Sequence, residues 1–183
     1  MLLWQADFGD HGLVHVVVTG PPASGKSTLS RRLADELGFP LLAKDEIKQH
    51  LLDERPAADV EESRERGREA VRLLLRQAAE TENAVLDSVW VARDRARRQL
   101  AALGVVVEVF CRCDVDVARR RYAERAVGKG PGHFDEQRPD EELWPDEALR
   151  PLGGGWPVIE VDTRRPVDVG QVAQAVRRTR SPR

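Results

Sequence analysis

The sequence predicts an α/β protein in which helices cover both faces of a five-stranded parallel sheet. Short apolar runs rich in β-branched residues alternate with segments whose apolar residues recur every three or four positions. Strands that alternate with helices need crossover connections, and these connections give parallel sheets with both faces buried. A length of 183 residues suits one domain with a small insertion.

Five runs along the chain are predicted as strands. Val14–Thr19 is β-branched and ends at a glycine, which is typical of a buried strand. Residues 105–111 (VVVEVFC) carry the strongest strand pattern in the chain. Three shorter runs complete the predicted sheet: Leu41–Ala43, residues 84–86 and residues 158–161.

Helical patterns fill the segments between these strands. Leu29, Leu33 and Leu37 recur every four residues, and Gly38 then ends the first predicted helix. Asp168 is placed to cap a last helix. The remaining helices are predicted over residues 59–79, 93–103 and 115–127.

Residues 128–155 interrupt the alternation of strands and helices. The segment is rich in glycine and proline, and it is acidic between Asp135 and Glu147. A long stretch with little regular pattern is typical either of a functional lid or of a surface insertion with no role. We expect a mobile lid here, within a single domain that spans residues 1–183.

Composition and charge exclude several classes of protein. A net charge of −2 disfavours nucleic acid as a partner, because duplex-DNA binders usually carry a basic domain. No apolar run reaches 18 residues and the N-terminus lacks a basic signal region, so we expect no membrane association. Cys111 and Cys113 are the two cysteines, which is too few for a disulfide framework, and we expect a reduced, cytoplasmic protein.

The most specific motif is GPPASGKS at residues 20–27, which fits G-x-x-x-x-G-K-[ST] between a predicted strand and a predicted helix. Its two glycines let the backbone turn tightly and approach a charged ligand closely. Successive amides and the following helix N-terminus can bind phosphates, a lysine can reach the β- and γ-phosphates, and a hydroxyl can bind Mg²⁺. The motif therefore predicts a nucleoside triphosphate and Mg²⁺ as ligands. The predicted nucleotide-binding residues are Gly20, Pro21, Pro22, Ala23, Ser24, Gly25, Lys26, Ser27 and Thr28.

The absence of other motifs reduces the number of protein classes that fit the chain. Residues 43–46 (AKDE) fit neither the DxxG nor the [NT]KxD motif of a GTPase, and no LSGGQ-like run indicates a transporter ATPase. The chain is also too short for a mechanical ATPase with several domains. A small kinase is the main interpretation, in which the γ-phosphate is transferred to a bound acceptor.

Two aspartates follow predicted strands, at the edge of the sheet where ligands bind in open α/β folds. Asp45 is a candidate general base that activates an acceptor hydroxyl, although it could instead cap a helix over residues 46–52. Asp87 is a candidate ligand of Mg²⁺, or a contact to the acceptor, although it could instead hold the turn at Ser88. Arg93, at the start of the next helix, could also reach an acceptor.

The helix that enters the irregular segment carries several arginines. Arg121 and Arg125 lie four residues apart and therefore on one face. Because a guanidinium matches phosphate oxygens, these two are candidates to neutralise the transferred phosphoryl group, and an ordinary solvated face is the alternative. Three tryptophans could stack on an acceptor or a base, with core or lid packing the more common role for such residues: Trp90, Trp144 and Trp156.

Taken together, GPPASGKST, Asp45, Asp87 and residues 118–125 (ARRRYAER) resemble the small P-loop kinases of the AAA_33 type, which include polynucleotide kinase and chloramphenicol phosphotransferase. The resemblance implies a three-layer α/β/α P-loop NTPase fold with strand order 2-3-1-4-5 and a lid insertion. It also implies ATP and Mg²⁺, with Asp45 as the acceptor-activating aspartate. It makes Arg121 and Arg125 the lid arginines, and it places the loop of residues 162–165, which follows the fifth strand and contains Arg165, beside the adenine.

Three functions fit these observations. The leading one is an ATP-dependent phosphotransferase that acts on a hydroxyl of a small molecule. A 5′-hydroxyl polynucleotide kinase would need a basic channel with stacking aromatic residues, which the net charge and the aromatic content of 5% disfavour. A non-catalytic switch would bind ATP without acceptor-dependent turnover. The sequence indicates neither the acceptor nor the oligomeric state.

Overall fold

A computed structural model describes residues 14–126 and 139–180 of the chain. Within these ranges five parallel strands form one sheet in the order β2-β3-β1-β4-β5. The predicted fold class and strand order are therefore confirmed. The strands are β1 (Val14–Thr19), β2 (Leu41–Ala43), β3 (Asn83–Asp87), β4 (Val105–Arg112) and β5 (Val158–Asp162).

Helices connect consecutive strands and cover the sheet. They are α1 (Lys26–Leu37), α2 (Lys44–Glu54), α3 (Val60–Ala79), α4 (Arg93–Ala101), α5 (Val115–Ala126), α6 (Asp140–Leu143) and α7 (Val169–Arg180). A 3₁₀ turn, Asp146–Leu149, follows α6. In the part of the chain that the structure describes, no helix is long and apolar enough to cross a membrane.

Side-chain caps explain where several helices begin. The Asp59 carboxylate accepts a hydrogen bond from the Glu62 amide (2.9 Å), so α3 begins one residue later than predicted. Asp168 accepts from the Gln171 amide (3.1 Å), as its position before α7 predicts. The helix α4 ends at Ala101, two residues before the predicted residue 103. Gly104, which follows, adopts a positive φ of 94°.

The central strand β1 contributes to both halves of the core. Because successive side chains of a strand point to opposite faces, Val16 packs with α1 and α7, whereas Val17 packs with α3 and α4. Leu33 is fully buried on the first face, and Leu74 and Leu100 are fully buried on the second. The loop that follows β1 is thus carried by a strand held on both faces.

One charged residue interrupts the apolar interior. Glu108 on β4 is fully buried, and its carboxylate accepts hydrogen bonds from the Thr19 hydroxyl (2.6 Å) and the Trp156 indole (3.1 Å). It also accepts from the amides of Leu152 (2.5 Å) and Gly153 (2.9 Å). A carboxylate is tolerated in an interior when its oxygens are satisfied in this way. Glu108 therefore ties the end of the predicted lid segment to Thr19, the last residue of β1.

The second half of the predicted lid packs against the body of the protein. Arg93 donates hydrogen bonds to the carbonyls of Glu147 (2.6 Å), Arg150 (3.3 Å) and Pro151. Arg93 thus anchors this segment, a role different from the acceptor contact considered for it. Residues 127–138 lie outside the described residues, so the lid function stays a prediction.

A buried histidine makes stability sensitive to pH. His15 on β1 is 2% exposed, and its Nδ1 has no hydrogen-bond partner among the described residues. Burial disfavours the charged imidazolium and lowers the pKa of His15 below its usual 6.5. The folded state therefore resists a proton that the unfolded chain accepts.

We predict that the free energy of unfolding falls as the pH drops below about 6.5, because the unfolded state then binds the additional proton. His15→Leu should remove this part of the pH dependence. His50→Gln, which changes an exposed histidine on α2, should keep it. Urea denaturation from about pH 5 to about pH 8, the range in which histidine titrates, measures the free energy of unfolding of the three proteins. Identical pH profiles for His15→Leu and the wild type would contradict this prediction.

Candidate active site

The phosphate-binding loop of residues 20–27 joins β1 to α1, and its glycines are required by sterics. Gly20 has a φ of 134°, and a Cβ atom there would lie 2.6 Å from the carbonyl oxygen of Cys111. Gly25 has a φ of 90°, a conformation that other residues rarely adopt. Both glycines therefore allow a turn that a side chain would obstruct.

The start of α1 is open to an anion. Its N-cap is Gly25, which has no side chain to cap the helix, and the first amides of a helix lack carbonyl partners within it. These amides and the positive end of the helix dipole attract phosphate. Lys26 is buried at the same place, where its ammonium group donates to the Pro21 carbonyl (2.7 Å). The loop thus combines amide donors with a positive charge held close to them.

Asp87 lies at the end of β3, beside this loop. Burial raises the pKa of its carboxyl group, while the hydrogen bond with the Ser27 hydroxyl and the nearby charge of Lys26 lower it. The charge of Asp45 raises the same pKa further. These interactions place one hydroxyl, one buried carboxylate and one ammonium group in a common cluster.

The oxygen donors of Ser27 and Asp87 suit Mg²⁺. This ion prefers oxygen ligands, and it usually takes only one or two from the protein, with phosphate and water oxygens completing its octahedron. No group of three or more histidine, cysteine, aspartate or glutamate side chains that could hold a metal occurs within residues 14–126 and 139–180. Ser27 and Asp87 together would supply the one or two protein oxygen ligands that Mg²⁺ usually takes.

Asp45 lies at the same edge of the sheet. Ala43, the last residue of β2, pairs with Asp87 in the parallel ladder, and Asp45 follows two residues later. Because α2 begins at Lys44, Asp45 stands in the first turn of the helix and not at its N-cap. Its side chain is 74% exposed and forms an ion pair with Lys44 (2.9 Å). The carboxylate is thus open to a ligand from solvent.

A cleft of about 420 Å³ extends along the outer side of the loop. Arg121 on α5 lines it, and its guanidinium donates to the carbonyl of Thr163 after β5 (3.2 Å) and contacts the sulfur of Cys113 (3.7 Å). The size falls within the usual range for small-molecule sites. The lining residues are Ala23, Gly25, Thr28, Leu29, Arg32, Arg121, Glu124, Thr163, Arg165, Pro166 and Val167.

The structure thus brings most of the predicted site residues to two adjoining places. Lys26, Ser27, Asp45 and Asp87 lie near the mouth of the loop, and the cleft contains Arg121 and Arg165. Arg125 belongs to α5, but its side chain lies outside the described residues. The catalytic and binding roles of all these predicted site residues remain predictions.

Sequence reasoning missed two charged residues that line the cleft, Arg32 and Glu124, whereas Thr163 lies in the loop of residues 162–165 that the family resemblance placed beside the adenine. Arg32 and Glu124 sit on helix surfaces whose charged patterns resemble ordinary solvated faces, so no sequence signal separates them.

The cysteines next to the site are not candidate nucleophiles. Burial raises the pKa of Cys111 to about 12 and also raises that of Cys113, so both thiols stay protonated near neutral pH.

Comparison with known proteins agrees with this fold. A suspected kinase from Chloroflexus aurantiacus is 31% identical, with a TM-score of 0.82 over 92% of this chain and 98% of that one. A gluconokinase from Sinorhizobium meliloti is 20% identical, with a TM-score of 0.61 over 93% of this chain and 95% of that one. A shikimate kinase from Acinetobacter baumannii in complex with shikimate is 19% identical, with a TM-score of 0.59 over 91% of this chain and 92% of that one. Among curated proteins, none matches this chain.

A family model adds to these similarities. The AAA_33 model, described as an AAA domain, matches residues 16–143, which include the phosphate-binding loop, both aspartates and α5. This match and the fold confirm the resemblance seen in the sequence motifs. The chain therefore belongs to the AAA_33 family and has the fold of the P-loop kinases.

Proposed function

We propose that this P-loop kinase transfers the γ-phosphate of ATP to a hydroxyl group of a small molecule, with Asp45 as the general base. The observation that carries the proposal is the pairing of Ala43 with Asp87. This register puts the two aspartates beside each other at the carboxyl ends of neighbouring strands. One aspartate is buried next to Ser27 and Lys26, and the other is exposed. The two environments suit two different tasks.

The buried half of the cluster supports nucleotide binding. The open N-terminus of α1 and the ammonium group of Lys26 would hold the phosphates, and Ser27 and Asp87 would hold Mg²⁺. When bound, Mg²⁺ would neutralise charge on the β- and γ-phosphates. The cleft lined by Arg121 and Arg165 would then accept the nucleoside. A guanidinium fits the negative charge that develops during transfer, and this supports Arg121 and Arg125 as residues that stabilise it.

The exposed half supports the chemistry on the acceptor. Asp45 would take the proton of the acceptor hydroxyl, whose oxygen then forms a bond to the γ-phosphorus. The bond from that phosphorus to the oxygen bridging the β- and γ-phosphates breaks, and ADP leaves with the electron pair. The nearby Lys44 would orient the carboxylate through its ion pair. This division of labour needs both aspartates.

A small molecule is the acceptor class that the observations support best. The gluconokinase and the shikimate kinase of the same fold carry the names of small hydroxy acids. The proposal is tested by acceptor-dependent release of ADP from ATP across polyols, sugars, hydroxy acids, nucleosides and a 5′-hydroxyl oligonucleotide. Turnover with one class of small molecule would support the proposal. Turnover with the oligonucleotide alone, or with no acceptor, would contradict it.

Asp87→Asn is predicted to weaken the affinity for ATP in the presence of Mg²⁺ by about 10- to 100-fold, because it removes a charged oxygen ligand. The affinity for ATP in EDTA should hold or increase, since the variant also removes a negative charge near the phosphates. Calorimetry with and without Mg²⁺ measures both values. Asp35→Asn, an exposed aspartate on α1, serves as the matched control and should bind like the wild type. Equal losses with and without Mg²⁺ would refute a metal role for Asp87.

Asp45→Asn is predicted to lower kcat by about 10²- to 10⁴-fold, because the amide cannot accept the acceptor proton. The affinity for Mg²⁺ and ATP should stay close to that of the wild type. Glu46→Gln changes the neighbouring carboxylate, which is paired with Arg31 (2.9 Å), and should leave kcat nearly unchanged. Steady-state kinetics with the acceptor found in the panel compares the three proteins. If the Glu46 variant lost as much turnover as the Asp45 variant, Asp45 would not be the base.

A further inference from the structure

A tryptophan outside the family match touches the phosphate-binding loop. Trp144 follows α6, and its indole N–H donates a hydrogen bond to the carbonyl oxygen of Pro22 (3.3 Å). The side chain is only 8% exposed. The contact joins residues 122 positions apart in the chain, so it depends on the tertiary fold.

The indole is held firmly in place by α5 and α6. The guanidinium of Arg119 lies 5.7 Å from the centre of the Trp144 ring, and it also pairs with Asp140 at the start of α6 (3.0 Å). The ring of Tyr122 meets that of Trp144 edge to face at 5.4 Å. Leu143 packs in the same small cluster. The N–H group thus points at the loop from a fixed ring.

The contact sets the direction of a loop amide. A trans peptide is planar, and its carbonyl and N–H point in opposite directions. No peptide bond in the described chain is cis. Because the Pro22 carbonyl points to Trp144, the N–H of Ala23 in the same peptide must point away from Trp144. Within residues 14–126 and 139–180, no protein group accepts a hydrogen bond from this amide.

The backbone at Ala23 supports a held conformation. Ala23 has a φ of 61°, and it is the one non-glycine residue with a positive φ in the described part of the chain. Such a conformation is unfavourable for a residue with a Cβ and persists where the surroundings impose it. Ala23 also lines the cleft assigned to the nucleotide. A strained residue with an unused amide at a ligand cleft indicates a donor prepared for that ligand.

We propose that Trp144 is a positioning residue, whose indole N–H fixes the peptide between Pro22 and Ala23 so that the Ala23 amide donates to a phosphate oxygen. This inference rests on the proposed function, since it assumes that the loop binds the phosphates of ATP. Trp144 itself acts through the peptide and does not touch the ligand. Loss of the N–H should therefore weaken binding of the phosphate portion alone as much as binding of the whole nucleotide.

The test replaces Trp144 with phenylalanine, and in a second protein with 3-benzothienylalanine, which keeps the shape of the indole but has sulfur in place of N–H. Calorimetry measures the affinity of each protein for inorganic pyrophosphate and for ATP, both with Mg²⁺. Both variants should bind both ligands about fivefold more weakly, as loss of one hydrogen bond predicts. The Ala23 amide resonance should also shift less on addition of pyrophosphate than it does in the wild type.

Trp156→Phe is the matched control. It also removes one indole hydrogen bond, the one to Glu108 (3.1 Å), but not at the loop. It should lower the melting temperature and leave pyrophosphate affinity unchanged. Full pyrophosphate affinity in the benzothienylalanine protein would overturn the role of the N–H while leaving the proposed function intact. If the wild type bound neither ligand, the proposed function would fail, and the inference would fail with it.

Discussion

The close approach of Gly20 to the carbonyl of Cys111 is the constraint on which the rest of the site depends. Because no Cβ fits there, β1 can turn directly into α1, whose first amides lack carbonyl partners within the helix and whose buried Lys26 lies beside them. A chain with a bulkier residue would have to displace the loop from β4. The backbone of the loop thus orients the amide donors of the site, and the charged side chains add to these donors.

Buried polar contacts extend this arrangement to the second half of the predicted lid segment. Glu108 joins Thr19, just before the loop, to the amides of Leu152 and Gly153, and Trp144 reaches the Pro22 carbonyl within the loop. Each of these groups would be costly to leave unpaired in an interior. The loop is therefore held at both its entrance and its middle by contacts with residues 144–153.

Local patterns predicted the sheet closely, because strand ends, helix caps and the loop motif depend on short-range chemistry. β1 and β2 have the predicted bounds, and Asp168 caps α7. Contacts between distant segments were not predictable in this way. The sequence suggested that Arg93 could contact the acceptor. In the structure its guanidinium donates to the carbonyls of Glu147 and Arg150, which are more than fifty residues away in the chain. Glu108 gave one usable signal, a lone charge within an apolar strand, whereas the contact of Trp144 with the loop gave none.

The most direct test of phosphate binding by the loop is calorimetric titration of ATP with Mg²⁺ into the wild-type chain and into Lys26→Ala. The wild type should bind one ATP per chain, and removal of the buried ammonium group should weaken that binding by about tenfold or more, as expected for a charge-assisted contact. No saturable heat with the wild type, or equal affinity in the two proteins, would contradict the central role assigned to the loop.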